Sequence, residues 1–213
     1  MNELVYYAYV FVAIILSISV HEASHALMAY RLGDPTAKYL GRLTLNPVAH
    51  LDPLGTLMIV ITTISGFGIG WGKPVPVNPY NLRNGAKTGM AMVSVAGPLS
   101  NLVLASFLAI PMRLDLIPDP TVFFVFRMMV LLNIALAVFN MIPIPPLDGF
   151  KVLQGILPNR QAYALSSLET YGPAILMLVI FVGPYFRLNV LGMILGPLMR
   201  IGYWLIAGGA VYG

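Results

Sequence analysis

The chain has 213 residues, 58% hydrophobic and only 9% charged, with a formal net charge of +4. A soluble domain carries roughly a quarter charged residues, so this composition, with a mean hydropathy of +0.83, excludes an ordinary water-soluble globule and implies a protein of the lipid bilayer. The positive balance fits the loop Lys and Arg that orient membrane proteins, with no nucleic-acid partner implied, and the absence of cysteine excludes disulfides and thiolate metal sites.

The first predicted span runs from about Leu4 to Tyr30 and stops before the breaker Gly33-Asp34-Pro35. It has neither a positive n-region nor a small-residue cleavage site, so it is read as a retained span and not as a signal peptide. A polar, β-prone stretch follows, AKYLGRLTLNPVAHLDP, and then a short apolar run over 54–69 that glycines interrupt. The segment WGKPVPVNPYNLRNG is a loop, and its Pro-Val-Pro-Val is extended because residues before proline avoid the helical region. A third apolar stretch covers about 90–112 and contains AGPLSN; a fourth, about 121–142, ends in FNMIPIPPLDGFKV. An amphipathic segment over about 152–170 and two apolar stretches, about 173–185 and 188–210, close the chain. The expected fold is an all-α polytopic membrane protein with about five full spans. It adds one re-entrant or interfacial segment over 54–69 and a short β-prone segment near the site. Residues 1–213 are read as a single domain, with a core over about 4–155 and a C-terminal helix pair over about 171–210.

Within the first span lies His21-Glu22-Ala23-Ser24-His25. Histidines four apart stand about 40° from each other around a helix, so both imidazoles face one way and can bind one ion. Glu22 lies beside them, placed to act as general base without ligating. This is the H-E-x-x-H arrangement of zinc enzymes. Three fixed positions in five recur by chance in soluble helices, but titratable groups at membrane depth cost several kcal/mol and are kept mainly at functional sites. A catalytic zinc usually takes three protein ligands and keeps one open position. The third candidates are Asp148, His50, Asp52 and Glu169. Asp148 is favoured because Pro143, Pro145 and Pro146 break the helix before it, leaving irregular backbone that survives at depth only when buried or lining a polar cavity. His50 has a competing role in a turn with Asn46, Pro47 and Asp52.

His21 and His25 lie toward the C-terminal end of one span, and Asp148 follows the C-terminal end of another. For those ends to meet, the two spans must run in the same direction, so an odd number of crossings must separate them. Two apolar runs intervene, so one does not cross, and 54–69 is the weaker. With that choice Arg31, Lys38, Arg42, Lys73, Arg83, Lys87, Lys151 and Arg160 share one side, while only Arg113 and Arg187 flank the other. The positive-inside rule then puts the N-terminus outside and the site toward the cytoplasm of a prokaryotic cell membrane.

These residues together resemble the site-2 protease family of intramembrane zinc metalloproteases. His21-Glu22-x-x-His25 is similar to its H-E-x-x-H, Asn140…Pro143…Pro146-Leu147-Asp148-Gly149 to its N-x-x-P-x-x-P-L-D-G, and Ala96-Gly97-Pro98…Asn101 to its A-G-P-x-x-N. The resemblance covers about residues 5–155. It implies that His21, His25 and Asp148 bind one Zn2+, that Glu22 activates water, and that Asn140 and Asn101 line the site. RLTLNPVAHLDPLG and GWGKPVPVNP resemble a compact prokaryotic branch without PDZ or CBS domains, which implies that Lys73, Pro74, Val75, Pro76, Val77 and Asn78 pair with an extended substrate. The implied activity is peptide-bond hydrolysis in a transmembrane protein substrate, as in regulated intramembrane proteolysis. A metal transporter and a catalytically silent substrate-binding homologue are the alternatives. The first would need a second polar cluster in the outer halves of the spans, and the second would be expected to lack Glu22 or a ligand; neither departure is seen. Gly172-Pro173, Gly183-Pro184 and Gly196-Pro197 are candidate bends for a substrate gate or, for the first two pairs more readily, helix ends.

Overall fold

The structure is a computed structural model that describes residues 2–66, 68–182, 186 and 190–208. Helix α1 (Glu3–Arg31) begins where the Asn2 side chain accepts the Leu4 N–H, and it carries Glu3 in its first turn and Arg31 in its last, each matched to the helix dipole. A single helical turn, α2 (Thr36–Tyr39), and a 3₁₀ turn (Pro47–His50) lead to α3 (Pro53–Ser65). Asp52 caps α3 by accepting the Gly55 N–H, and Gly66 ends it at φ +70°, a left-handed position open to glycine. The long central helix α4 (Ala86–Arg113) and α5 (Pro120–Asn140) follow, the latter capped by Asp119 on the amides of Thr121 and Val122. Past the proline-rich turn come α6 (Asp148–Ile156), α7 (Asn159–Ser166), α8 (Leu168–Met177) with a π turn over Leu178–Val182, and α9 (Val190–Ala207).

Helix α4 is the hub, packing on α1, α5, α6 and α9. Away from the polar site, Ala105, Ala109 and Met112 of α4 bury against Val130 and Ile134 of α5 and Tyr203 and Ala207 of α9. Small residues at these crossings let the backbones approach closely, which is how helices associate where lipid supplies no hydrophobic drive. Large apolar side chains such as Val12, Phe107 and Ile110 point outward and are exposed, as a lipid-facing surface requires.

Among the described residues three helices, α1, α4 and α5, are long and apolar enough to cross a membrane, and a fourth span arises if α7 and the α8 unit, bent by 57°, act together. Among the described residues the count by length and composition is thus three or four, and the expected five full spans are not all found. Helix α9 has 18 described residues, at the lower end of the ~17–25 that a span needs. Helix α3 has 13 residues, about 20 Å at 1.5 Å per residue and short of the ~30 Å hydrocarbon core. The expected β-prone segment forms no strand among the described residues. It makes one isolated antiparallel bridge, Leu51 with Gly72, because Pro74 and Pro76 cannot donate to a ladder. Gly172-Pro173 lies inside α8, not at its end, and Pro197 lies inside α9; Gly183-Pro184 is outside the described residues.

Candidate active site

The site forms where α1, α4 and the N-terminus of α6 converge. His21 and His25 share the inward face of α1, and their Nε2 atoms stand 3.0 Å apart. Asp148 Oδ2 lies 3.1 Å from His21 Nε2 and 3.3 Å from His25 Nε2. The three are the group of His, Asp and Glu side chains that could hold a metal among the described residues, with all ligand atoms within 4.8 Å of one another. Both histidines are buried, and Asp148 is nearly so.

The partners of the far ring nitrogens decide where the protons sit. His25 Nδ1 stands 2.8 Å from the Val93 carbonyl, which can only accept, so Nδ1 carries the hydrogen. His21 Nδ1 stands 2.7 Å from Asn101 Oδ1. The Asn101 amide cannot be flipped, because its Nδ2 donates to the Ser17 carbonyl at 3.1 Å and to Asn133 Oδ1 at 2.8 Å. Asn133 Nδ2 in turn donates to Ser17 Oγ at 2.9 Å and to the Met129 carbonyl at 2.8 Å. As neutral rings, imidazoles held this way would aim two Nε2 lone pairs and a carboxylate oxygen at one point. Asp148 Oδ2 is buried with no hydrogen-bond donor of its own. Three converging acceptors repel unless a cation stands between them.

Donors 2.0–2.1 Å from a tetrahedral ion sit about 3.3 Å from each other. The observed separations of 3.0, 3.1 and 3.3 Å form nearly that triangle, so the residues fit a zinc ion with a fourth position open. The local sequence explains the approach. A Cβ at Gly97 would run into the rings of both His25 and His21, and one at Gly149 would run into the Met141 and Ile142 carbonyls. Pro98 removes the N–H that the Ser94 carbonyl would have received, loosening α4 one residue from the Val93 carbonyl that His25 uses. Asp148 occupies the first turn of α6, where the helix dipole favours a carboxylate.

Residues 110–183 match the model of peptidase family M50. The chain is 38% identical over 197 residues to the "Putative zinc metalloprotease YwhC" of Bacillus subtilis, covering 86% of this chain and 87% of that protein. The chain belongs to the site-2 protease family, peptidase family M50. It is also 32% identical to the "Putative zinc metalloprotease Rip2" of Mycobacterium tuberculosis, over 96% of this chain and 81% of the relative. To the "Zinc metalloprotease MJ0392" of Methanocaldococcus jannaschii it is 25% identical over 78% of this chain and 40% of that protein. No solved structure gives a significant match.

Other sequence-derived candidates of this M50 peptidase fall into three groups. Glu22 stands outside the ligand cluster, its Oε2 accepting the Val75 N–H at 3.0 Å. Segment 73–78 therefore runs along α1 at the site, and Gly72 packs so tightly on Ile18 that a Cβ there would clash. Asn101 belongs to the site as the residue that orients His21, and not as a side chain facing an open groove. Asn140 is not drawn in: its Nδ2 donates to Leu136 O one turn back in α5. The rival ligands are all engaged elsewhere. His50 is fully buried with Nε2 2.8 Å from the Thr44 carbonyl, Asp52 caps α3, and Glu169 pairs with Lys151 at 2.9 Å and accepts from Gln154 at 3.0 Å. Sequence reasoning missed Asn133 and Ser17. The signal for Asn133 was a lone amide inside the apolar stretch VFRMMVLLNIALAV, since polar groups at membrane depth mark function by default.

Proposed function

We propose that this chain is a zinc-dependent endopeptidase that hydrolyses peptide bonds in or near transmembrane segments of membrane-protein substrates, as in regulated intramembrane proteolysis. His21, His25 and Asp148 hold the ion and Glu22 moves the protons of the H-E-x-x-H chemistry. The observation that carries this reading is the triangle of two Nε2 atoms and one carboxylate oxygen, with both ring tautomers set by partners at the far nitrogens. When bound there, zinc polarises a carbonyl and lowers the pKa of water.

Around that chemistry the chain's own residues do the rest. Glu22 Oε takes the proton of the attacking water as its oxygen bonds to the scissile carbonyl carbon. The same carboxyl then gives the proton to the amide nitrogen as the C–N bond breaks. The Val75 N–H aims the Glu22 side chain. Segment 73–78 offers an extended edge to a substrate whose helix has unwound at the scissile bond, since a helix hides its carbonyls. Prolines at 74 and 76 have no N–H to donate, so among residues 74–77 only Val75 and Val77 keep one, and this edge suits one partner strand and resists wider pairing. The sorting of Lys and Arg supports an N-terminus outside and a site open to the cytoplasm of a prokaryotic cell membrane.

The test is bound zinc and cleavage of a single-span substrate by purified wild type, Glu22→Gln, Asp148→Ala and His50→Ala. Wild type and Glu22→Gln bind about one zinc per chain, and Glu22→Gln loses about 10²–10⁴-fold in rate. Asp148→Ala loses the ion and His50→Ala keeps it. Equal cleavage by wild type and Glu22→Gln sinks the mechanism, and zinc kept by Asp148→Ala but lost by His50→Ala sinks the ligand set.

A further inference from the structure

Segment 73–78 has no sheet to hold it, yet three buried or half-buried side chains and one carbonyl grip its backbone. The Lys73 N–H donates to the His50 carbonyl at 2.8 Å. Arg42 Nη2 donates to the Lys73 carbonyl at 2.5 Å and Nη1 to the Pro74 carbonyl at 3.2 Å, one planar fork across two consecutive peptides. Glu22 accepts the Val75 N–H. At the far end, Asp34 Oδ2 accepts the Asn78 N–H at 2.7 Å, while its Oδ1 accepts from Thr36 Oγ1 at 2.6 Å and Asn81 Nδ2 at 2.9 Å. Asp34 and His50 have no exposed surface, and Arg42 is 6% exposed.

A buried guanidinium whose partners are loop carbonyls is an expensive way to hold an ordinary turn, since the charge is desolvated and Arg42 Nε finds no acceptor. The same neighbourhood explains the fully buried His50. Its Nε2–H donates to the Thr44 carbonyl, so Nδ1 carries a lone pair, 3.5 Å from Arg42 Nη2, and seats the guanidinium. The grips also have a direction. Carbonyls at 73 and 74 are turned to Arg42, whereas the Val75 amide is turned to Glu22. In an extended chain the Val77 amide points the same way as that of Val75. Among the described residues, neither the Val77 N–H nor the Val75 carbonyl has a hydrogen-bond partner. They are a free donor and acceptor two residues apart, fixed beside the general base.

We infer that Arg42, seated by His50, and Asp34 are positioning residues that clamp segment 73–78 from its two ends, so that the Val75 carbonyl and Val77 amide receive the extended substrate backbone next to Glu22. This rests on the protease reading above. The clamp touches neither the metal ligands nor the scissile bond; it sets where the substrate lies.

Because the chain has no cysteine, a single introduced thiol reports substrate position directly. In a Glu22→Gln background, Val77→Cys is crosslinked to a single-span substrate carrying one cysteine at successive positions, with and without Arg42→Ala. Kinetics and bound zinc are measured in parallel on otherwise wild-type chains bearing Arg42→Ala, Arg42→Lys or Asp34→Asn. The expected result is zinc content like wild type, a KM raised about tenfold or more against a smaller change in kcat, and a crosslink that weakens or spreads over several positions, since each lost contact is a charge-assisted hydrogen bond. Guanidinium ion at millimolar concentration restores Arg42→Ala in part, and Arg42→Lys, which cannot span both carbonyls, falls between. If Arg42→Ala fails to fold, Asp34→Asn reads the clamp from its other end. An unchanged KM and a sharp crosslink in Arg42→Ala or Asp34→Asn overturn the inference while wild-type cleavage leaves the protease reading standing. A wild type without zinc or cleavage overturns that reading, and this inference with it.

Discussion

Asn101 offers a way to separate holding the metal from holding the helices. Replacing it with leucine, of similar size, removes three contacts at once: the acceptor for His21 Nδ1, and the donors to the Ser17 carbonyl and to Asn133 Oδ1. Without its acceptor the His21 ring no longer has a preferred tautomer, and Nε2 loses its claim to the lone pair. Residues behind a metal ligand are typically worth 10–100-fold in metal affinity, or about 1.4–2.7 kcal/mol. Folding stability suffers as well, since each orphaned buried group costs ~1–3 kcal/mol before relaxation. Asn101→Asp is the contrasting variant. It keeps an oxygen against His21 Nδ1 but presents no donor to Asn133 or Ser17. Zinc affinity, measured by competition with a chromophoric chelator, is expected to fall at least tenfold in Asn101→Leu and to stay near or above wild type in Asn101→Asp. The melting temperature of the metal-free protein falls in both. If Asn101→Leu binds zinc as wild type does, or if Asn101→Asp loses as much affinity as Asn101→Leu, Asn101 does not act by orienting His21.

Gly97→Ala sets two effects of opposite sign against each other. Alanine within a helix is favoured by up to ~1 kcal/mol, yet here the added methyl meets two imidazoles that Asn101 and the Val93 carbonyl hold from behind. Zinc content and melting temperature are both expected to fall, and a stabilised variant with full zinc would show that α4 can shift at no cost. Asp34 gives a pH dependence. Burial pushes its carboxyl up, but hydrogen bonds from Thr36, Asn81 and Asn78 outweigh this and hold it below the ordinary carboxylate range. A depressed folded pKa contributes stability above the unfolded value, near 4, and loses it as pH falls through the folded one. Melting temperature followed from pH 6 to pH 2 should drop on the acid side in wild type and less steeply in Asp34→Asn; parallel curves would exclude Asp34 as the source.

Much of this was legible because the chemistry is local in sequence. Two histidines four apart share a helix face whatever surrounds them, and Asp52, Asp119 and Gly66 mark helix ends by their own side chains or lack of one. Parity was legible too. If α3 does not cross, α1 and α5 run in the same direction, and their C-terminal ends can meet; the gathering of His21, His25 and Asp148 at that meeting point is what such a count requires. The C-terminal third was read less well, because length and hydropathy do not show that α7 and α8 bend by 57° or that α8 passes into a π turn.

The contacts that were not legible share one physical cause: each partner lies on a different element. His21 to Asn101 spans 80 residues, Asn133 to Ser17 spans 116, and Val75 to Glu22 spans 53. An asparagine in an apolar span announces that it needs partners but not which ones, and so Asn101 could be expected to line the site but not to face His21. Asn140 shows the converse, since the same residue type is satisfied by the carbonyl one turn back on its own helix. The β-prone stretch forms no strand among the described residues for a related reason. Propensity describes a chain that has a neighbour to pair with, whereas segment 73–78 is held extended by a guanidinium and two carboxylates. Side chains that grip a strand at a few points leave the Val75 carbonyl and the Val77 N–H without partners among the described residues, which a full sheet, with both edges paired, would not.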